Sequence, residues 1–186
     1  MKFSDIKVVV IDIDGCLADG IYQISEKGVV AKSFYTRDFY GIEQLLRNDI
    51  KVVILSQSHD DVIYRQIQRI CSHSDFWNEC YEEKFKLCVF TGIDNKKEKV
   101  EDIFKLEEIE WNNVAYIGDA ENDMECMDEC LFSACPGDAI EDILFYVADS
   151  STVGNGYISS FKGGRGAVYE ICLKILKERR NENTTS

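Results

Sequence analysis

The chain has 186 residues, with 34 Asp and Glu against 21 Lys and Arg, a formal net charge of −13, 45% hydrophobic residues and one proline. That length suits a single domain burying roughly 70% of the surface its unfolded chain exposes, and the apolar content and lone proline exclude disordered and collagen-like classes. An acidic surface repels nucleic acid phosphates and anionic headgroups, so no nucleic acid or membrane partner is expected, and an anionic substrate would need positive charge supplied locally.

Residues 6–13 (IKVVVIDI) form a β-branched run of the kind buried on both faces of a parallel sheet, ending in the turn signal Asp14-Gly15. Residues 20–34 hold two strand-prone runs about Gly28 and read as a β-hairpin. Asp38 is placed to cap a helix burying Ile42, Leu45 and Leu46, and residues 51–55 (KVVIL) are a second buried strand. Residues 58–71 read as a helix with Ile63, Ile67 and Ile70 on one stripe, whereas 72–95 are hard to read apart from a strand at 87–90. Asn95 begins a charged helix with Val100, Ile103 and Phe104 inward, and 114–117 are a buried strand ending in Gly118-Asp119. Helices near 122–129 and 138–144, short apolar runs at 131–134 and 145–148, and an amphipathic helix over 165–177 complete the pattern. This alternation predicts a doubly wound α/β fold with a mostly parallel sheet, a single domain over 1–178, and a flexible polar tail over 179–186.

The eight cysteines include no C-x-x-C pair and have only His59 and His73 for company, so they read as buried thiols rather than zinc ligands. The first residues lack an apolar signal region and no stretch has the ~18 apolar residues of a membrane span. A cytoplasmic location is the consistent expectation.

In a sheet of this kind, ligands bind outside the carboxyl ends of the strands. Three expected strands end there in polar groups: Asp12-Ile13-Asp14-Gly15, Ser56-Gln57-Ser58, and Gly118-Asp119 through Asp123. Each Asp alone could serve a turn or a cap. Carboxylates gathered at one edge repel each other unless a cation joins them, and hard oxygen donors suit magnesium.

The segment Asp12-Ile-Asp14-Gly15-Cys-Leu-Ala-Asp19-Gly20 resembles the D-x-D-G-x-L-x-D-G signature of haloacid dehalogenase superfamily phosphatases. Ser56 matches their second motif, Lys96 or Lys97 the third, and Gly118-Asp119-x-x-x-Asp123 the fourth. The hairpin, the Arg37-Asp38-x-x-Gly41-Ile42 segment and Gly163-Gly164-Arg165-Gly166-Ala167 further resemble the 3-deoxy-D-manno-octulosonate 8-phosphate (KDO 8-phosphate) phosphatase family, over residues 3–178. The resemblance implies a phosphatase acting on a sugar acid phosphate, as in lipopolysaccharide biosynthesis. It implies Asp12 as nucleophile and Asp14 as acid and base. It also implies Mg²⁺ held by Asp12, the Asp14 backbone carbonyl and Asp119, with Gly15, Ser56, Gln57 and a lysine about the substrate. Family spacing from Gly92 favours Lys96 over Lys97. Asp123 is either a further ligand or an acceptor behind the ligands. Arg165 either grips a carboxylate or phosphate or merely starts a helix.

Many relatives close the site with a cap domain. Only 41 residues separate Asp14 from Ser56 and 39 separate Ser56 from Lys96, so neither gap holds one. Capless relatives are homotetramers in which neighbouring subunits complete the site, and the hairpin is the expected device. One departure concerns substrate: many octulosonate phosphatases read Thr-Gly-Arg where this chain has Ser56-Gln57-Ser58-His59. Relatives acting on nine-carbon sugar acids have a polar or acidic residue where Gln57 falls, which keeps a nonulosonate 9-phosphate open. His59 could face sugar hydroxyls or simply start a helix. A non-catalytic assembly module, like the C-terminal domain of animal CMP-sialic acid synthetases, is disfavoured because Asp12, Asp14 and Asp119 are all present.

Overall fold

β-Branched side chains with no competing helical period make an extended segment of β1 (Val8–Asp12), whose residues are all buried. In the computed structural model, which describes residues 2–82, 86–105 and 107–185, β1 lies within a six-stranded sheet. The chain follows β1 with a hairpin of β2 (Ala18–Ser25) and β3 (Gly28–Phe34), then α1 (Thr36–Arg47), β4 (Lys51–Leu55), α2 (Val62–Cys71) and α3 (Asp75–Glu82). It continues with β5 (Leu87–Phe90), α4 (Lys96–Phe104), β6 (Val114–Ile117), α5 (Met124–Glu129), β7 (Phe132–Cys135), α6 (Glu141–Thr152), β8 (Gly156–Ile158) and α7 (Ala167–Thr185).

The strand order is β5-β4-β1-β6-β7-β8, and every pairing is parallel. Alternation along β1 sends Val9 and Ile11 to one face, against α1, α2, α3 and α7. Val8 and Val10 go to the other, against α4, α5 and α6. Strand order reverses between β1 and β6, so the crevice of a doubly wound sheet opens at their carboxyl ends, where Asp12 and Asp119 stand. Among the described residues no cap domain interrupts the fold, and the β2–β3 hairpin is the insertion between β1 and α1.

Several expectations are corrected. The helix expected from Ser58 begins at Val62, because Asp60 holds the preceding loop through Ser58 Oγ and the Val62 amide. The hard-to-read stretch after 72 contains α3, anchored by Trp77, which is buried and donates through Nε1 to Glu43 (3.3 Å); residues 83–85 of that stretch lie outside the described residues. The helix at 138–144 and the run at 145–148 are one helix, α6, and β8 was not expected. Beyond residue 177, α7 continues to Thr185: Glu182 accepts the Phe3 and Ser4 amides (2.8 Å each) and Arg179 donates to the Ile6 carbonyl (2.8 Å). Asp38 caps a different helix from the one expected. It sits inside α1, fully buried, and its carboxylate accepts the amides of Gly166 (3.3 Å) and Tyr169 (2.8 Å) at the start of α7.

Candidate active site

The backbone after β1 turns tightly: Ala18 donates to the Ile13 carbonyl (2.7 Å) and Gly15 to the Ala18 carbonyl (3.0 Å). Gly15 needs its positive φ of 92°, and a Cβ there would fall 1.9 Å from Asp119 Oδ2. The missing side chain at Gly15 is what lets the carboxylate after β6 approach the turn after β1. Gly163 does the same from the far side, since its Cβ would lie 1.7 Å from the Gly15 carbonyl oxygen.

Around this turn the sheet edge assembles three acidic residues and a lysine. Lys96, the first residue of α4, is buried, and its Nζ donates to Asp12 Oδ1 (2.5 Å) and Asp123 Oδ1 (2.7 Å). Lys97 points outward to Glu129 (2.7 Å), so only Lys96 reaches the edge. Asp123 is fully buried. It accepts the Tyr116 hydroxyl (2.8 Å) on the oxygen that takes Lys96, and the amides of Asp119 (3.1 Å) and Ala120 (3.3 Å) on the other. With those donors, Asp123 is an acceptor fixing Lys96 and the loop after β6. Tyr116 was not picked out from the sequence, because a strand tyrosine there reads as plain core.

Asp14 stands on the opposite side. Its Oδ2 accepts Ser56 Oγ (3.3 Å) and Lys32 Nζ (2.8 Å). Ser56 Oγ in turn accepts the Ser58 amide (2.9 Å). Lys32 also bonds Asp60 (2.6 Å), and neither residue carries a motif that the sequence would reveal.

Burial first, then the Asp123 charge, pushes the Asp12 carboxyl well above its usual range against the pull of Lys96. The same two causes raise Asp119 to about 6. Burial alone would lower Lys96, but Asp12 and Asp123 hold its ammonium above the ordinary lysine range. Asp12, Asp119 and Cys16 bring one ligand atom each within 4.8 Å of one another. Burial and the Asp119 charge push the Cys16 thiol well up, so it remains a proton donor, 3.7 Å from Asp119 Oδ1. With the thiol protonated, the ligand atoms that come together are the carboxylate oxygens of Asp12 and Asp119, a hard set that fits magnesium and whose crowded charges a divalent cation would stabilise.

The remaining expected residues sit at the rim. Gln57 is exposed, accepts Asn122 (2.8 Å) and donates to the Asp94 carbonyl (3.2 Å). Gly15 has its amide committed to the turn. Arg165, with 63% of its side chain exposed, pairs with Asp19 (2.9 Å). His59 packs over Gly92 and lines an open cavity of about 390 Å³ with Lys27, Gly28, Ser58, Asp60 and Asp61. Among the described residues, no helix is long and apolar enough to cross a membrane.

No family model matches the chain. It is 30% identical over 177 residues to the 3-deoxy-D-manno-octulosonate 8-phosphate phosphatase KdsC of Haemophilus influenzae, covering 95% of this chain and 86% of that protein. Identity to the protein of the same name from Escherichia coli K12 is 29% over 176 residues, 94% of this chain and 81% of that one. The Moraxella catarrhalis 3-deoxy-D-manno-octulosonate 8-phosphate phosphatase, solved with magnesium, phosphate and KDO, aligns with a TM-score of 0.77 at 25% identity, covering 98% and 92% of the two chains. A haloacid dehalogenase superfamily subfamily III A hydrolase from Legionella pneumophila has the same fold, with a TM-score of 0.79 at 23% identity over 96% of this chain and 86% of that one.

Proposed function

The chain belongs to the 3-deoxy-D-manno-octulosonate 8-phosphate phosphatase family of the haloacid dehalogenase superfamily, and on that premise we propose a magnesium-dependent hydrolase of a phosphorylated 2-keto-3-deoxy sugar acid, working through an aspartyl-phosphate on Asp12. The observation that carries the reading is the convergence of Asp12, Asp14, Ser56, Lys96 and Asp119 at the strand-order reversal.

Phosphate-monoester hydrolysis is so slow unaided that the site must lower the barrier by on the order of 20 kcal/mol. The Asp12 carboxylate attacks phosphorus and the bond to the sugar oxygen breaks, splitting one hard displacement into two. Asp14 gives its proton to the departing alkoxide. It then takes a proton from the water that attacks the aspartyl-phosphate, so that inorganic phosphate leaves and Asp12 is restored. Lys96 has three N–H donors and spends two on Asp12 and Asp123, leaving one for a phosphoryl oxygen; the Ser56 hydroxyl, whose single proton goes to Asp14 Oδ2, serves another on turning from Asp14 to the phosphate. Magnesium, held by Asp12, Asp119 and the Asp14 backbone carbonyl, would offset the repulsion between the nucleophile and a phosphate dianion. This local charge answers the −13 background.

With no cap, closure falls to neighbouring subunits, and the proposed assembly is a homotetramer. Ile21 and Ile24 on β2, each 71% exposed, leave apolar surface on the hairpin that a neighbouring subunit would bury. Arg165 sits on an exposed loop beside the turn, which supports a grip on the substrate carboxylate once released from Asp19.

A phosphate-release panel of sugar acid phosphates, run with magnesium and with EDTA on enzyme whose mass is read by sedimentation, tests the reading. The eight-carbon 8-phosphate is expected to turn over fastest, and only with magnesium. A preference for a nine-carbon 9-phosphate would move the assignment to nonulosonates, the alternative that Gln57 and Ser58 keep open. Release that survives EDTA would overturn the metal role. A silent panel from a well-formed tetramer would make the chain an assembly module, whereas a fully active monomer would remove the tetramer from the account.

A further inference from the structure

The hairpin lysine is the feature that the phosphatase reading leaves unused. Lys32 lies on β3 opposite Tyr22, with only 2% of its side chain exposed, and its ammonium sits 5.7 Å from the Tyr22 ring centre. A buried ammonium is costly unless its donors are used, and here they meet two carboxylates: Asp14 Oδ2 at 2.8 Å and Asp60 Oδ2 at 2.6 Å. Asp60 is itself fixed, by Ser58 Oγ at 2.5 Å and the Val62 amide at 3.1 Å at the start of α2. Lys32 thus references the Asp14 carboxylate to the β4–α2 loop. The other Asp14 oxygen, Oδ1, is buried and has no hydrogen-bond partner among the described residues. A carboxylate held through one oxygen is fixed in orientation, and its buried, unpartnered oxygen is the one with a hydrogen bond still to make once a leaving group displaces what covers it.

We propose that Lys32 is the positioning residue of the acid–base carboxylate, its ammonium holding Asp14 Oδ2 so that Oδ1 meets the leaving-group oxygen. The inference rests on the reading of Asp14 as acid and base. It gives the hairpin a role inside its own subunit, separate from closure by neighbours. A rotatable Asp14 would still bind phosphate through the rest of the site but would miss the proton transfer that an alkoxide leaving group needs. A good phenoxide leaving group needs that proton far less.

The test compares kcat/KM for 3-deoxy-D-manno-octulosonate 8-phosphate and for 4-nitrophenyl phosphate, since kcat/KM reports the half-reaction that expels the leaving group. Lys32→Met should lower it about 100-fold for the alkyl phosphate and about threefold or less for the aryl phosphate, the loss expected when general-acid help disappears. Lys32→Arg, which keeps donors for both carboxylates, should recover most of the alkyl rate. Asp14→Asn is the internal reference. If Asp14→Asn shows the leaving-group split while Lys32→Met lowers both substrates equally, or leaves both unchanged, Lys32 is only a structural tie and the inference fails. If Asp14→Asn shows no split, the acid–base reading fails first and the inference falls with it. Should Lys32→Met not fold, Lys32→Gln takes its place with the same outcomes: a leaving-group split like that of Asp14→Asn supports the inference, and losses that are equal for the two substrates, or absent, overturn it.

Discussion

One step of about 100° along α4 separates Lys96, enclosed by Asp12 and Asp123, from Lys97, which reaches outward to Glu129. Loss of a donor aimed at developing negative charge typically costs about 10²–10³ in rate. Lys96→Met is therefore expected to lower kcat by about that factor, while Lys97→Met stays within about twofold of the parent. Melting curves should accompany the rates, because removing Lys96 also leaves the buried Asp12 and Asp123 carboxylates without the cation between them. Equal losses in the two variants would contradict the assignment. At this scale, motif spacing could name Asp12, Asp14, Ser56, Asp119 and one of two adjacent lysines, because each stands at or within two residues of a strand's end or at a helix start. It could not name Lys32, Asp60 or Tyr116. Their partners are far away in the chain or stand on another element, and nothing local distinguishes a buried strand lysine from a solvated one.

Among the elements, β1, β4 and β6 were legible because a strand buried on both faces reads as an unbroken apolar run. The elements that escaped depend on tertiary support. α3 has no clean apolar period and is held by Trp77, whose ring lies 6.2 Å from that of Phe39. β8 is three residues on a sheet edge, defined only by pairing with β7. In α6, Phe145 is 66% exposed and broke the helical stripe that would otherwise have joined the two expected pieces. The join between α1 and α7 yields a pH prediction. Burial raises the Asp38 carboxyl from 3.8 to about 6, against the amides of Tyr169 and Gly166. The group therefore binds its proton more tightly folded than unfolded, and the stability it contributes is fullest below pH 3.8 and lost as the pH rises towards about 6. Asp38→Asn cannot titrate, so its unfolding free energy relative to the parent should improve across that window by on the order of 2–3 kcal/mol. Denaturant titrations at several pH values read the difference directly; one that does not change with pH would show that Asp38 does not titrate on folding.

For the whole molecule, strand order does most of the functional work. A sheet that reverses between β1 and β6 brings the first and fourth motifs to one crevice, although Asp12 and Asp119 lie far apart in the chain. Net charge taken over the whole surface argued against an anionic ligand. Its distribution argues the other way, because Lys96 and a divalent cation among Asp12 and Asp119 would reverse the local sign. The account stands on Asp12 accepting the phosphoryl group. Its most direct test is to quench the enzyme during turnover of the sugar acid phosphate with magnesium, reduce with borohydride and map the peptides by mass. The account predicts reductive labelling at Asp12 alone, absent in Asp12→Asn, which should also release no phosphate. Phosphate release with no labelled residue 12, or turnover that persists in Asp12→Asn, would contradict it.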